Sequence, residues 1–153
     1  MPELPEVETI MRGLVPHLKN AMIDHVIIRC AQLRWPIPCD LNNILSTQKV
    51  VKLSRRGKYL LIRVPTGTLI LHLGMSGTLK LLNHMIPPTS HDHMDIVFSN
   101  DMVLRYNDPR RFGAILWTEA SPLEHHLLKC MGLEPLDTEF TGQYLKQLSL
   151  KRH

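Results

Sequence analysis

Residues 49–82 read KVVKLSRRGKYLLIRVPTGTLILHLGMSGTLKLL. Within them KVVKLS, YLLIRV, TLILHLG and GTLKLL are short β-rich runs, separated by turn signals at Arg56-Gly57, Thr66-Gly67 and Ser76-Gly77. Gaps this short suit hairpins, so the runs predict antiparallel neighbours rather than crossover-linked parallel strands. Upstream, MIDHVIIRC has the same texture; downstream, HMDIVFS, MVLRY and AILWT continue it past turns at Asn100-Asp101 and Asn107-Asp108-Pro109. Eight such runs between Met22 and Glu119 predict an antiparallel β-sandwich.

Helices are expected on both flanks. Leu4, Val7, Ile10, Met11, Leu14, Val15 and Leu18 recur at helical spacing and predict an amphipathic helix over about residues 5 to 19. Pro5 fits its first turn, and Glu6 and Glu8 complement the positive end of its dipole. Glu3 precedes the helix, where that explanation is weaker. After Ser121-Pro122, LEHHLLKCM reads as a helix stopped by Gly132, and a further helix is expected from about Thr138 to the end of the sequence. The fold class is thus α+β, an antiparallel sandwich of about eight strands flanked by an N-terminal helix and C-terminal helices. The division expected is a sandwich domain over 1–133 and a linker with the start of a second helical domain over 134–153.

At 153 residues with 44% apolar and 21% charged side chains, the chain can bury a core, which argues against disorder. The net charge is +4 and unevenly placed: Lys49, Lys52, Arg55, Arg56, Lys58, Arg63 and Lys80 fall between Leu45 and Leu82 with no Asp or Glu among them. Arg110-Arg111 form a second cluster. Such clusters suit a polyanion such as nucleic acid, although a solvated basic face has the same composition. Three cysteines without a CxxC pair argue against a disulfide framework or a four-cysteine zinc site within this chain. No apolar run approaches a membrane span and no signal peptide is visible, so the expected compartment is a reducing cytosol.

The opening MPELPEVETI places a secondary amine beside a carboxylate. Methionine before proline is commonly trimmed, which would free the Pro2 nitrogen next to Glu3. That is either an accident of processing or a nucleophile with its acid/base partner. Elsewhere each candidate has a plain structural alternative. Lys58 reaches a phosphate or is a surface lysine, and His72 in TLILHLG is a ligand-binding group or a satisfied sheet histidine. Met75 in HLGMSGTL is a loop tip or a core plug. In YNDPRRFGAIL, Arg110, Arg111 and Phe112 are a groove-reading wedge, or Phe112 starts the next strand and packs inward. His91, His93 and Asp95 in HDHMD alternate onto one strand face in conceivable metal-ligand geometry, yet no further ligand cluster supports a metal, and none is expected.

Taken in order, PELPEVET, RRGKYLL, HLGMSG, HDHMD and NDPRRFGA closely resemble bacterial formamidopyrimidine-DNA glycosylase over essentially the whole chain. The endonuclease VIII branch shares the proline-glutamate start but is less similar at Met75 and at Arg110 to Phe112. The resemblance implies a base-excision repair enzyme for formamidopyrimidines and 8-oxoguanine with AP-lyase activity. Pro2 would attack deoxyribose C1′ and form a Schiff base, Glu3 would handle protons at the sugar, and β,δ-elimination would follow. Lys58, grouped with the catalytic residues, and His72 would hold phosphates flanking the lesion. Met75, Arg110 and Phe112 would fill the gap left by the flipped nucleotide, with Arg110 facing the orphaned cytosine and Arg111 adding to the DNA-binding surface. Glu6 falls in the matched motif near the pocket.

The implied partner is double-stranded DNA carrying an oxidised purine or an abasic site, bound by a monomer in the bacterial cytosol or nucleoid. Family members continue into a helix-two-turn-helix domain and a four-cysteine zinc finger, whereas this sequence ends at LKQLSLKRH. The expectation is therefore a chain cut within the first helix of that second domain, with no cofactor of its own, exposed apolar surface at its end and self-association as one outcome. Two alternatives follow: a catalytically impaired fragment, and a non-catalytic damaged-DNA-binding protein using the same wedge and basic groove.

Overall fold

The computed structural model describes residues 1–151. Helix α1 spans Leu4–Leu18, starting one residue before the expected position, with Pro5 in its first turn, where a missing N–H has no consequence. Glu6 reaches back to accept the Glu3 N–H at 3.0 Å, satisfying a donor that the helix start leaves without a partner. The apolar stripe buries Val7, Leu14 and Leu18, and Ile10, Met11 and Val15 pack along its edge.

All eight expected strands form: β1 Ile23–Ile28, β2 Lys52–Arg56, β3 Tyr59–Val64, β4 Gly67–His72, β5 Thr78–Leu82, β6 Asp92–Phe98, β7 Val103–Asn107 and β8 Ala114–Thr118. They make two antiparallel four-stranded sheets in the orders β1-β6-β7-β5 and β2-β3-β4-β8. Period-2 alternation sends Leu53, Leu60, Ile62, Leu69, Leu71 and Ile115 inward from one sheet, against Met94, Ile96, Phe98, Leu104 and Tyr106 from the other. A short helix α2, Leu41–Leu45, which the sequence reading does not anticipate, buries Leu41 and Leu45 and packs on β1.

The C-terminal part departs from expectation. LEHHLLKCM is not a helix: only Pro122–Glu124 make one 3-10 turn, followed by irregular turns. So short a helix would be marginal by itself, and tertiary contacts take the segment elsewhere. Leu128 and Met131 drape over Leu61 and Ile70 on the outer face of the β2-β3-β4-β8 sheet, while the Met131 and Gly132 carbonyls accept from the Arg56 guanidinium. The last helix, α3 Gly142–Leu150, begins about four residues later than expected because Thr141 caps it, accepting from Tyr144 N–H. Leu145, Leu148 and Leu150 on α3 are exposed. No helix among the described residues is long and apolar enough to cross a membrane.

Candidate active site and nucleic-acid interface

Four pieces of chain meet at one end of the sandwich: the N-terminus, the β2–β3 turn, and the two loops that follow β4 and β7. Arg56-Gly57 turns the chain between β2 and β3, with Gly57 at φ +57, a left-handed conformation that glycine adopts freely. The turn delivers Lys58, whose ammonium lies 2.6 Å from Glu3 Oε2. Pro2 lies in sequence between Met1 and Glu3, and Met1 lines a recess of about 360 Å³ with Arg34, His72, Gly74, Met75 and Phe112. Lys58 and His72 also line an adjacent recess of about 430 Å³ floored by Met131 to Pro135. A larger concavity, about 510 Å³, is lined by Lys52, Arg55, Arg56 and Arg63 of the basic cluster but by none of Pro2, Glu3, Lys58, His72, Met75 or Phe112. Size alone therefore points away from this end, and the convergence of chemistry-bearing groups decides in its favour.

His72 ends β4 directly opposite Tyr59, with ring centroids 4.7 Å apart. Its Nδ1 accepts the Gly74 N–H at 2.9 Å, which leaves Nε2 as the N–H donor of a neutral ring. Burial, and then the positive charges of Arg34 and Lys58, push its pKa below the ordinary histidine value. His72 is thus satisfied at Nδ1 and keeps an N–H donor at Nε2.

Met75 and Phe112 are outward-facing, at 43% and 47% exposure, so neither plugs the core. The Arg110 guanidinium stacks over the Phe112 ring at 4.7 Å. Arg111, exposed, has φ +58, an uncommon conformation for a side-chain-bearing residue and a local strain in this loop. Backbone contact joins the loops: a Cβ on Gly74 would collide with Phe112 and Gly113 main chain, and one on Gly113 with Tyr106 Oη and the His72 carbonyl. Asp108, fully buried, sits between them. Its Oδ1 accepts from Ser76 Oγ at 2.8 Å and its Oδ2 from Gly113 N–H at 2.8 Å.

A network of ions fixes the Lys58 turn from behind. Arg55 is buried between Glu8 of α1, 2.6 Å away, and Glu134, 2.5 Å away. Glu134 also accepts from Arg56 and from Gly57 N–H. The Arg55 hydrogen bond outweighs burial and holds the Glu8 carboxyl below its ordinary range. Burial would raise Glu134, but the Gly57 N–H and both arginines prevail and lower it.

The HDHMD segment is used structurally. A register shift between Asp92 and Met94 lets both Asp92 and Asp95 face Arg105, at 3.7 and 2.8 Å. Arg29 closes on Asp95 from the other side, at 2.6 Å. The buried His93 bonds through Nε2 to the Asp108 carbonyl, whereas His91 is exposed. Among the described residues no three His, Cys, Asp or Glu side chains are grouped to hold a metal. Sequence reasoning passed over Asp108, Ser76, Arg34 and Glu134. Asp108-Pro109 carries a signal, but one that reads only as a turn; nothing local marks Glu134 as the partner of a turn 77 residues away.

Glu3 and Lys58 next to Pro2, on a two-sheet antiparallel sandwich with two joined loops at one end, define the class as an α+β sandwich domain with its reactive groups gathered at that end. A family model described as the formamidopyrimidine-DNA glycosylase N-terminal domain matches residues 1–115. The chain belongs to that family. It is 53% identical over 152 residues to the formamidopyrimidine-DNA glycosylase of Nitrosococcus oceani, covering 99% of this chain and 56% of the relative. To the Pseudomonas aeruginosa protein of the same name it is 54% identical, with the same coverage. The chain thus spans just over half the length of the curated relatives it matches. Among solved structures, wild-type Lactococcus lactis Fpg in complex with DNA containing an oxidised pyrimidine superposes with TM-score 0.85 at 31% identity, over 99% of this chain and 57% of that one. The same protein in complex with abasic-site DNA gives 0.83 at 31%.

Proposed function

We propose that this chain carries the catalytic half of a base-excision repair DNA glycosylase with AP-lyase activity, acting on oxidised purines in duplex DNA. The observation that carries the reading is the Glu3–Lys58 pair next to Pro2 in the chain, with the adjoining Met1 lining a recess walled by His72, Met75 and Phe112. Family membership and the DNA-bound Lactococcus lactis relatives support it.

The chemistry follows from the residue types. Once Met1 is removed, the Pro2 nitrogen has a lone pair and attacks deoxyribose C1′, and the bond from C1′ to the damaged base breaks with a proton going to the leaving base. Ring opening, with Glu3 supplying the proton to O4′, gives an iminium that a secondary amine can form only as a cation. That cation accepts the electron pair when a C2′ proton is removed and the 3′ phosphate leaves; a second elimination expels the 5′ phosphate. Hydrolysis returns Pro2. No cofactor is required, because the electron sink is made from the chain's own amine. Lys58 and the Nε2–H of neutral His72 hold the flanking phosphates in this reading, and Arg111 adds charge. Met75, Arg110 and Phe112 occupy the space of the extruded nucleotide, offsetting part of the few kcal/mol that flipping costs. Glu6, near the pocket on the motif reading, accepts the Glu3 N–H and so steadies Glu3. A bacterial cytosol is the compartment this reading implies.

Borohydride trapping with the Met1-processed chain tests it. A covalent adduct is expected with duplexes carrying 8-oxoguanine opposite cytosine or an abasic site, and none when Met1 is retained. Failure to trap even the abasic duplex at low salt overturns the catalytic reading and leaves the fold and family standing.

A further inference from the structure

We propose that Asp108 is the positioning residue that makes the two loops after β4 and β7 a single rigid wedge; its consequence for DNA rests on the glycosylase reading above. The Asp108 side chain has no exposure, and both of its oxygens are used to join the loops. Oδ1 takes the Ser76 hydroxyl of the Met75 loop, and Oδ2 takes the Gly113 N–H, one residue past Phe112. Ser76 Oγ in turn accepts the Arg110 N–H at 3.3 Å, so Met75, Arg110 and Phe112 are all within one residue of a group in the same ring of hydrogen bonds. The main chain of Asp108 is anchored independently, its N–H donating to the His91 carbonyl and its carbonyl bonded by His93 Nε2.

A buried hydrogen bond is costly to lose, because the partner left behind is a desolvated polar group without its bond. The two wedge side chains are exposed and gain nothing from burial in the free protein, so their positions must be set by main-chain anchorage. Gly74 and Gly113 bring the loops into contact, and Asp108 gives the contact direction. A rigid pair of loops keeps Met75 and Phe112 in place before DNA arrives, so ordering them does not oppose binding.

The test has two parts on Ser76→Ala and Asp108→Asn chains. In the free protein, amide exchange is read at residues 74–77 and 110–113. Ser76→Ala is expected to speed exchange roughly tenfold in both loops, including the one that carries no substitution. Faster exchange confined to 74–77 overturns the proposal without reference to DNA. In the second part, strand cleavage at a preformed abasic site is compared with excision of 8-oxoguanine paired with cytosine. Both variants should retain the first and lose roughly tenfold in the second, because only the second needs a base extruded from an intact pair. Parallel loss of both activities points to general damage and sinks the positioning role. If wild type itself cleaves neither substrate, the glycosylase reading fails while the exchange result still decides the coupling. If Asp108→Asn fails to fold, the Ser76→Ala variant decides alone.

Discussion

The Lys58 ammonium rests 2.6 Å from Glu3 Oε2, yet the two side chains keep 36% and 49% exposure. A pair so open to water contributes under about 1 kcal/mol to stability. Its value is positional: it brings together two residues 55 apart in sequence, one of them next to Pro2 in the chain. Glu3→Gln and Lys58→Met should each leave the melting temperature nearly unchanged. Glu3→Gln should slow excision about a hundredfold, the scale of a lost acid/base group. Lys58→Met should instead weaken DNA binding across sequences and lower the salt-dependence slope by about 1. A large thermal shift in either variant would contradict this division.

Arg111 sits at φ +58, where a side chain is strained and glycine is not. Arg111→Gly should therefore gain up to about 1 kcal/mol of stability, read as a higher urea midpoint at unchanged m-value. DNA affinity should fall at the same time through the lost charge. A destabilised variant would mean that the arginine side chain, not the backbone, governs this position.

Phe112 is 47% exposed and its ring is covered on one face by the Arg110 guanidinium. Phe112→Ala should change stability by no more than about 0.5 kcal/mol. With 2-aminopurine placed beside an abasic site, the fluorescence rise on binding should be mostly abolished. An undiminished rise would remove Phe112 from the wedge.

Gly113 has no room for a methyl group, which would strike Tyr106 Oη and the His72 carbonyl and lie 3.0 Å from Asp108 Oδ2. Gly113→Ala should cost about 3 kcal/mol, measured by denaturant titration. Near-neutral stability would show that the loops separate more easily than their packing indicates.

The Glu8–Arg55–Glu134 network makes stability depend on acid. Both carboxyls are held below their ordinary value of 4.5, Glu8 by the Arg55 hydrogen bond and Glu134 by Gly57 N–H and both arginines against burial. With folded pKa values depressed, the unfolded chain binds more protons as pH falls, so the contribution is complete above about 4.5 and is lost as pH drops through the folded values. The urea midpoint should fall between pH 5 and 3.5, and Glu134→Gln should both lower the midpoint at pH 7, by about 2 kcal/mol of stability, and flatten that fall. Equal slopes for variant and wild type would place the acid sensitivity elsewhere.

The eight strands and α1 were legible because each is a local pattern: alternation within the runs of 49–82, a turn pair between them, and apolar residues at helical spacing from Leu4 to Leu18. Burial of one face is a requirement that a short stretch can state alone. LEHHLLKCM shows the limit. Its pattern is helical, but Arg56, 75 residues earlier, takes the Met131 carbonyl, and Leu128 covers the outer sheet face instead. HDHMD shows the same limit in chemistry, since ligand-like alternation is undone by a bulge that turns Asp92 and Asp95 to Arg105.

The motifs likewise named Pro2, Glu3, Lys58, His72, Met75, Arg110 and Phe112, because those residue types carry their chemistry in their own atoms. Their assembly was not in the string. Whether Met75 and Phe112 point out or in, whether Lys58 meets Glu3, and that a turn aspartate binds two loops together all depend on contacts between residues tens of positions apart. Local chain chemistry sets periodicity, turns and reactive groups; only closure of the two sheets, which removes water from between distant segments, sets which of those groups face one another.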